Sequence, residues 1–378
     1  MSELRASIVT TYSIATLTFI NSMVMVNIYG LDVRGELAAY TLYAALFAGL
    51  GTAFYEGGSQ SGSARTLSVG WLAVGLGIAI LLLELFVRSQ ALSISLVLGA
   101  LVMIEFATGV TIIRLITHSI RFYNIVRLSH PLMFLVLNLA FTKITFSFNT
   151  LFISYLAAAA GSLSLAVYLH RCSRTVGFDA IELTGLGEET TQSPTPGSIL
   201  HISRPIFQQV DKVLLERLLS PAAFGAYVTI TSLVNLGGPV LNAIQQLSFH
   251  RVIGFMSTAG FARIWAISLM LGVVLCPVID YLFFGQRLKD YLIFIPLIAL
   301  LSFCANLSKH AENKLIHQGN AEVLMALKIA LLIGVTIAYY YYEAAMLKVV
   351  SVLLILYALY ALVAVRTAAG ANLSGVKI

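Results

Sequence analysis

The stretch 198–219 is apolar enough to be a membrane helix, yet it carries His201, Arg204, Gln208, Gln209, Asp211 and Lys212. On a helix His201, Arg204, Gln208 and Asp211, at spacings of 3, 4 and 3, form one stripe with Lys212 on its edge. A charge at a membrane helix centre costs about 2.5–3.5 kcal/mol on insertion scales, and such residues usually face a bundle interior or an aqueous cavity. At the rise of an α-helix, Asp211 lies roughly 20 Å from Ser198 and Arg204 roughly 9 Å. The functional reading is a cavity wall offering cationic and amide groups to an anionic, hydroxyl-rich ligand. The structural reading has Arg204, Asp211 and Lys212 satisfying one another or neighbouring helices. The next apolar stretch, 222–249, repeats the idea without charge. Asn235, Asn242 and Gln246 share a face at spacings of 7 and 4, with Gln245 alongside. Gly237, Gly238 and Pro239 interrupt that helix, and a broken helix at membrane depth is tolerated where it lines a cavity. Taken singly, each amide is an interhelical hydrogen bond worth about 0.6–2 kcal/mol; taken as a stripe, they are a cavity wall. Asn21 and Asn27 are the first-half equivalents.

Further ionisable groups fall inside apolar stretches. Lys328 stands about two turns into 321–342 and Glu105 a similar distance into 91–113, and an intramembrane ionisable residue is a functional candidate by default. Lys328 serves either the cavity or a snorkelling contact with the interface. Glu105 and Asp211 are the candidates for ion coupling. Two polar stretches, Arg114–Pro131 and Ser308–Asn320, read as cytoplasmic and basic, suited to a pyrophosphate or an anionic lipid headgroup or simply to topology. No HExxH, paired-carboxylate or nucleotide-binding GxxxxGK[ST] pattern occurs, so neither catalysis nor ATP hydrolysis is expected. Cys172, Cys276 and Cys304 are isolated, so no metal site, cofactor or disulfide framework is expected either.

These residues must be positioned by membrane helices. Of the 378 residues, 59% are hydrophobic and only 11% charged, with mean hydropathy +0.90; soluble domains carry roughly 25% charged residues. The class is therefore all-α integral membrane. Stretches of about 20 apolar residues predict about twelve transmembrane helices, near 6–28, 36–55, 69–87, 91–113, 124–142, 149–170, 198–219, 222–249, 264–284, 290–308, 321–342 and 345–365. The run at 6–28 is too long for a cleaved leader and reads as the first helix. The turn-rich interval 171–197, with TQSPTPG, divides an N-terminal six-helix lobe (1–170) from a C-terminal one (198–378), and the two lobes are expected around a central cavity. A shift of 187 residues aligns Leu37–Gly51 with Phe224–Gly238, with identities at Ala39/Ala226, Tyr40/Tyr227, Leu46/Leu233 and Gly51/Gly238. Such a repeat is a common transporter architecture, with the substrate site at the repeat interface. Loops on the side of the termini hold thirteen Lys and Arg against seven opposite, which places both termini in the cytoplasm. The net charge of +6 is accounted for by that bias, and no nucleic-acid partner is expected.

The run Asp211-Lys212-Val213-Leu214-Leu215, followed by Leu218, Gly225 and Tyr227, resembles the start of the second half in polysaccharide-biosynthesis translocases, such as O-antigen flippases, of the multidrug/oligosaccharidyl-lipid/polysaccharide exporter superfamily. Ile120–Leu128 is similar to the link between helices four and five in O-antigen translocases. The resemblance implies a flippase in a bacterial inner membrane, moving an undecaprenyl-pyrophosphate-linked oligosaccharide to the periplasmic leaflet by alternating access. Membrane lipids and other polysaccharide-assembly membrane proteins would be its partners. Arg204, Lys212 and Lys328 would then attract phosphate and sugar oxygens, and the amides would contact hydroxyls. The rival readings are an ion-coupled multidrug exporter of the same fold and a lipid II flippase. A membrane polysaccharide polymerase fits less well, because every predicted periplasmic loop is short.

Overall fold

The computed structural model describes residues 2–59, 75, 92–141, 148–175, 209, 211–235, 238, 241, 256–317, 320–341 and 346–373. Regular structure among them is helical: α1 (Ser2–Ser59), α2 (Leu92–His118), α3 (Ile120–Phe141), α4 (Phe148–Thr175), α5 (Pro221–Val234), α6 (Thr258–Phe283), a 3₁₀ turn (Lys289–Phe294), α7 (Ile295–His317), α8 (Ala321–Tyr341) and α9 (Met346–Leu373). Residues 211–218 are also helical. Eight stretches among the described residues are long and apolar enough to cross a membrane, so the chain is a multi-pass membrane protein. The predicted helix at 69–87 lies outside the described residues except for Gly75. Most of 198–219, the second half of 222–249 and the interval 176–197 also lie outside them.

The first span, Ile8–Ala53, is 46 residues long, roughly 69 Å of helix against a hydrocarbon core of about 30 Å. It accommodates two passes because it breaks at Gly30, with φ 92° and ψ 175°, a conformation essentially confined to glycine. This is the division predicted between 6–28 and 36–55. Just before the break the carbonyls of Val26 and Asn27 accept from the Arg287 guanidinium at 2.8 and 3.0 Å. Asn27 Nδ2 in turn donates to the Phe283 carbonyl, at the end of α6. Two frayed helix ends therefore cap each other. Arg287→Ala is expected to cost about 1 kcal/mol, seen as a lower unfolding temperature of the detergent-solubilised protein; an unchanged midpoint would show that water caps these carbonyls equally well.

The chain forms two compact units, Met1–Asn21 with Ala39–Gln209, and Ser22–Ala38 with Val210–Ile378. The segment around the Gly30 break thus groups with the second half of the sequence. In the first unit α4 packs on α2 and α3. Between α3 and α4, Ser129 and Ser162 hydroxyls meet at 2.9 Å and Ser129 also donates to Val126 O, small polar residues acting as interhelical glue. Asn21 Nδ2 donates to the Pro131 carbonyl at 2.9 Å, linking α1 to the proline-bearing turn of α3.

In the second unit α5 starts on a Ser220 cap with Pro221 at its first position, a favourable helix start. It ends at Val234, with Asn235 in a turn conformation, and Gly238 and Leu241 beyond it are helical again, so the stretch predicted as one helix over 222–249 is interrupted at Asn235. α6 ends at Phe283 with Phe284 as its cap; Gly285 follows with positive φ, and the Phe284 and Gln286 N–H groups both reach back to Asp280 O, at 3.0 and 3.2 Å. The buried Asp280 carboxylate accepts from Leu288 N–H at 3.0 Å and holds the connection in place. α7 packs extensively on α9 and on α6, and α8 packs on α9. The helix predicted at 290–308 continues to His317. Its last two turns keep Ala311 and Leu315 buried at helical spacing, so Ser308–His317, read from sequence as a polar cytoplasmic stretch, is helix with a buried face.

Candidate functional site

The densest polar arrangement inside the described spans lies in the second unit, where α7, α8 and α9 meet. Lys328 on α8 is 2% exposed, and its Nζ lies 3.2 Å from Glu312 Oε2 on α7. Glu312 Oε1 accepts the Tyr360 hydroxyl of α9 at 2.7 Å. The carboxylate thus takes a charged donor on one oxygen and a neutral donor on the other, tying three helices at one point. Tyr357, one turn before Tyr360, is buried and within electrostatic range of Glu312, Tyr227 and Asp211. Tyr227 on α5 is also buried and feels Asp211. Lys328, Glu312 and Tyr360 are thus joined by direct contacts, and Asp211, Tyr227 and Tyr357 lie within electrostatic range of that set in mostly buried surroundings. Ionisable groups placed inside membrane helices are functional candidates, and this pairing depends on how the three helices pack.

Of the residues singled out from sequence, Asp211, Lys328 and their surroundings are brought together here, with Lys212 adjacent to Asp211. Lys328 is committed to Glu312 rather than open to a ligand in this arrangement. Asn235 donates from Nδ2 to Ser302 Oγ at 3.4 Å. Beside it Trp265 Nε1 and Asn306 Nδ2 both donate to the Ser302 carbonyl, at 3.4 and 2.8 Å, so Asn235 belongs to an α5–α6–α7 packing knot. Asn21 is 3% exposed and held by Pro131, in the first unit. Glu105 lies on α2 one turn before Gly109, whose Cα faces Thr52. The carboxylate has neither hydrogen bond nor ion pair among the described residues, and it belongs to the first unit. His201, Arg204, Gln208, Asn242 and Gln246 lie outside the described residues.

Glu312, Tyr357 and Tyr360 were not anticipated. The signal for Glu312 was Leu307, Ala311 and Leu315 at spacings of four, which continues the apolar period through a run whose Lys309, His310 and Lys314 suggest a loop. For the tyrosines, 357 and 360 are three apart on one face of an otherwise aliphatic helix, the placement expected where phenol hydroxyls need buried partners.

No protein-family model matches the chain, and no curated protein matches it in sequence. Two solved structures are similar in fold. One is the outward-facing conformation of a multidrug resistance MATE family transporter of the MOP superfamily, with TM-score 0.60 and 12% identity over 98% of this chain and 96% of that one. The other is a MOP superfamily transporter from Pyrococcus furiosus Vc1 (DSM3638), described as having a binding pocket of reverse polarity suggestive of a different function. Its TM-score is 0.53 at 13% identity, over 97% of this chain and 94% of that one. At such identities the likeness is one of fold: the chain has the MATE-like helical arrangement over nearly its full length.

Proposed function

We propose that this chain is a membrane transporter, and specifically a flippase carrying an undecaprenyl-pyrophosphate-linked oligosaccharide from the cytoplasmic to the periplasmic leaflet of a bacterial inner membrane by alternating access. The observation that carries the transporter reading is the placement of the Asp211, Glu312, Lys328 and tyrosine group inside a fold shared with MOP superfamily transporters. A buried group of this kind has little purpose in a passive membrane scaffold, since replacing it with packed apolar side chains is often neutral or stabilising. In the proposed mechanism protonation at Asp211, or at Glu105 in the first unit, changes the balance of charge and favours one packing over another. The cargo reading rests on the polar stripes: Arg204 and Lys212 meet phosphate, and Asn242 and Gln246 meet sugar hydroxyls, while the polyprenyl tail stays in lipid. Two lobes of six helices, with cytoplasmic termini, complete the proposal.

An ion-coupled multidrug exporter is the second reading, favoured by the fold likeness to a MATE transporter and by Glu312, which offsets the Lys328 charge. Deletion of the gene, followed by analysis of lipid-linked glycans, separates the two. Completed repeat units accumulating on the cytoplasmic leaflet are expected. Normal surface glycan with altered drug sensitivity would sink the flippase reading in favour of the exporter.

A further inference from the structure

We infer that the end of the first unit at which α2, α3 and α4 meet is a docking surface for the headgroups of anionic phospholipids. The spans Val97–Leu115 and Asn149–Ser173 finish there, and the span Arg121–Phe141 begins there. Leu115, Val126 and Ala166 form one buried cluster, with Ile112, Phe122 and Leu169 packed against it, so the three helix ends share a seam. Arg114 adjoins Leu115, Arg121 adjoins Phe122, and Arg171 follows Leu169 by two residues. All three arginines are exposed.

Each of them also heads the exposed apolar stripe of its own helix. On α3, Arg121 is followed by exposed Ile125, Leu132 and Val136 at spacings of 4, 7 and 4, which keeps the four within about 60° of one another. On α4, Arg171 shares a face with exposed Tyr168 and Ile153, and on α2 Arg114 shares one with exposed Met103. Apolar side chains that a packed membrane bundle leaves exposed are turned to acyl chains. The surface therefore sets guanidinium groups at the membrane boundary directly above a path for lipid tails. That pairing suits a whole phospholipid and not a free anion.

Charge selects the headgroup. α3 and α4 contain neither Asp nor Glu, and α2 carries only Glu105, roughly 13 Å deeper along the helix than Arg114. Guanidinium groups take phosphate through paired N–H donors, and basic sites between membrane helices hold anionic headgroups. Topology alone asks that arginines gather on one side of the membrane; it does not ask that each crown a stripe open to lipid. Arg127 is the internal contrast. It lies at the same end, but roughly 120° round α3 from Arg121, and its guanidinium sits over the Tyr123 ring, 5.1 Å from the centroid. The surface stands independently of the cargo reading.

The test counts the phospholipids retained by the purified full chain, by native mass spectrometry after release from nanodiscs of phosphatidylcholine mixed with phosphatidylglycerol. Phosphatidylglycerol is expected to be retained in preference to phosphatidylcholine. Arg114→Gln, Arg121→Gln and Arg171→Gln should each weaken that preference about fivefold, and the triple variant on the order of a hundredfold. The single variants carry the test if the triple one does not fold. Arg127→Gln removes the same charge away from the stripes and should leave the preference unchanged. Equal retention of the two lipids, or an equal loss in Arg127→Gln, overturns the surface. A second arm follows thermal unfolding in neutral detergent with inorganic pyrophosphate. A rise in the midpoint that the triple variant loses would make this a site for the anion alone and overturn the lipid assignment. None of these outcomes bears on the glycan experiment.

Discussion

Lys328→Met is expected to destabilise the protein by about 3–5 kcal/mol, the cost of leaving a buried partner unpaired, and to abolish transport. The Lys328–Glu312 pair is buried on the lysine side and nearly so on the glutamate side, with side-chain exposures of 3% and 18%. Methionine fills the aliphatic volume of the lysine without its charge, and the Glu312 carboxylate keeps the Tyr360 hydroxyl as a neutral donor. Glu312→Gln should act in the same direction, since the amide keeps an acceptor for Tyr360 but removes the negative charge 3.2 Å from the Lys328 ammonium. The double variant Lys328→Met/Glu312→Gln removes both charges and should recover most of the lost stability, because the penalty lies in the unpaired charge. Unfolding midpoints of the four proteins give the stability cycle; a flux or complementation assay gives the function. A double variant that is stable but inactive places the pair in the transport cycle. One that is stable and fully active makes it a structural tie between α7, α8 and α9, and the proton-handling role is lost.

What the sequence revealed follows from which signals are local. The apolar stretches, the division between 6–28 and 36–55 and the polar character of 198–219 and 222–249 are all properties of a short window. So was the anomaly of Lys328 in an apolar helix, which was read as serving either a cavity or a snorkelling contact. The partner itself was not visible, because Glu312 stands in a run rich in Lys, His and Asn that has the composition of a loop. Only the buried face at Ala311 and Leu315 shows it to be helix. Asn235 illustrates the opposite case. Its place in a stripe suggested a cavity, but the helix ends at that residue, and its amide turns to Ser302. A face drawn on an ideal helix loses its meaning where the helix is interrupted. Contacts far apart in sequence, such as Arg287 with Val26, leave no local trace.

Gly225→Val is expected to be destabilising by roughly 1–3 kcal/mol or more, with much lower yield of folded protein. A Cβ at Gly225 would collide with the Leu31 carbonyl and stand 2.9 Å from the Gly35 amide nitrogen, and one at Gly35 would collide with the Pro221 carbonyl. Both obstacles are backbone, which cannot rotate away as a side chain does. The two glycines thus let α5 cross the segment after the Gly30 break at backbone contact, as small residues do between membrane helices. That crossing is one of the ties that bring residues 22–38 into the second unit. Gly35→Ala and Gly225→Ala should each lower the unfolding midpoint. The double variant should be less harmful than the sum, since moving the two segments apart once relieves both collisions. Strict additivity would mean that each site is relieved by its own local shift, and that the crossing is not a single packed unit.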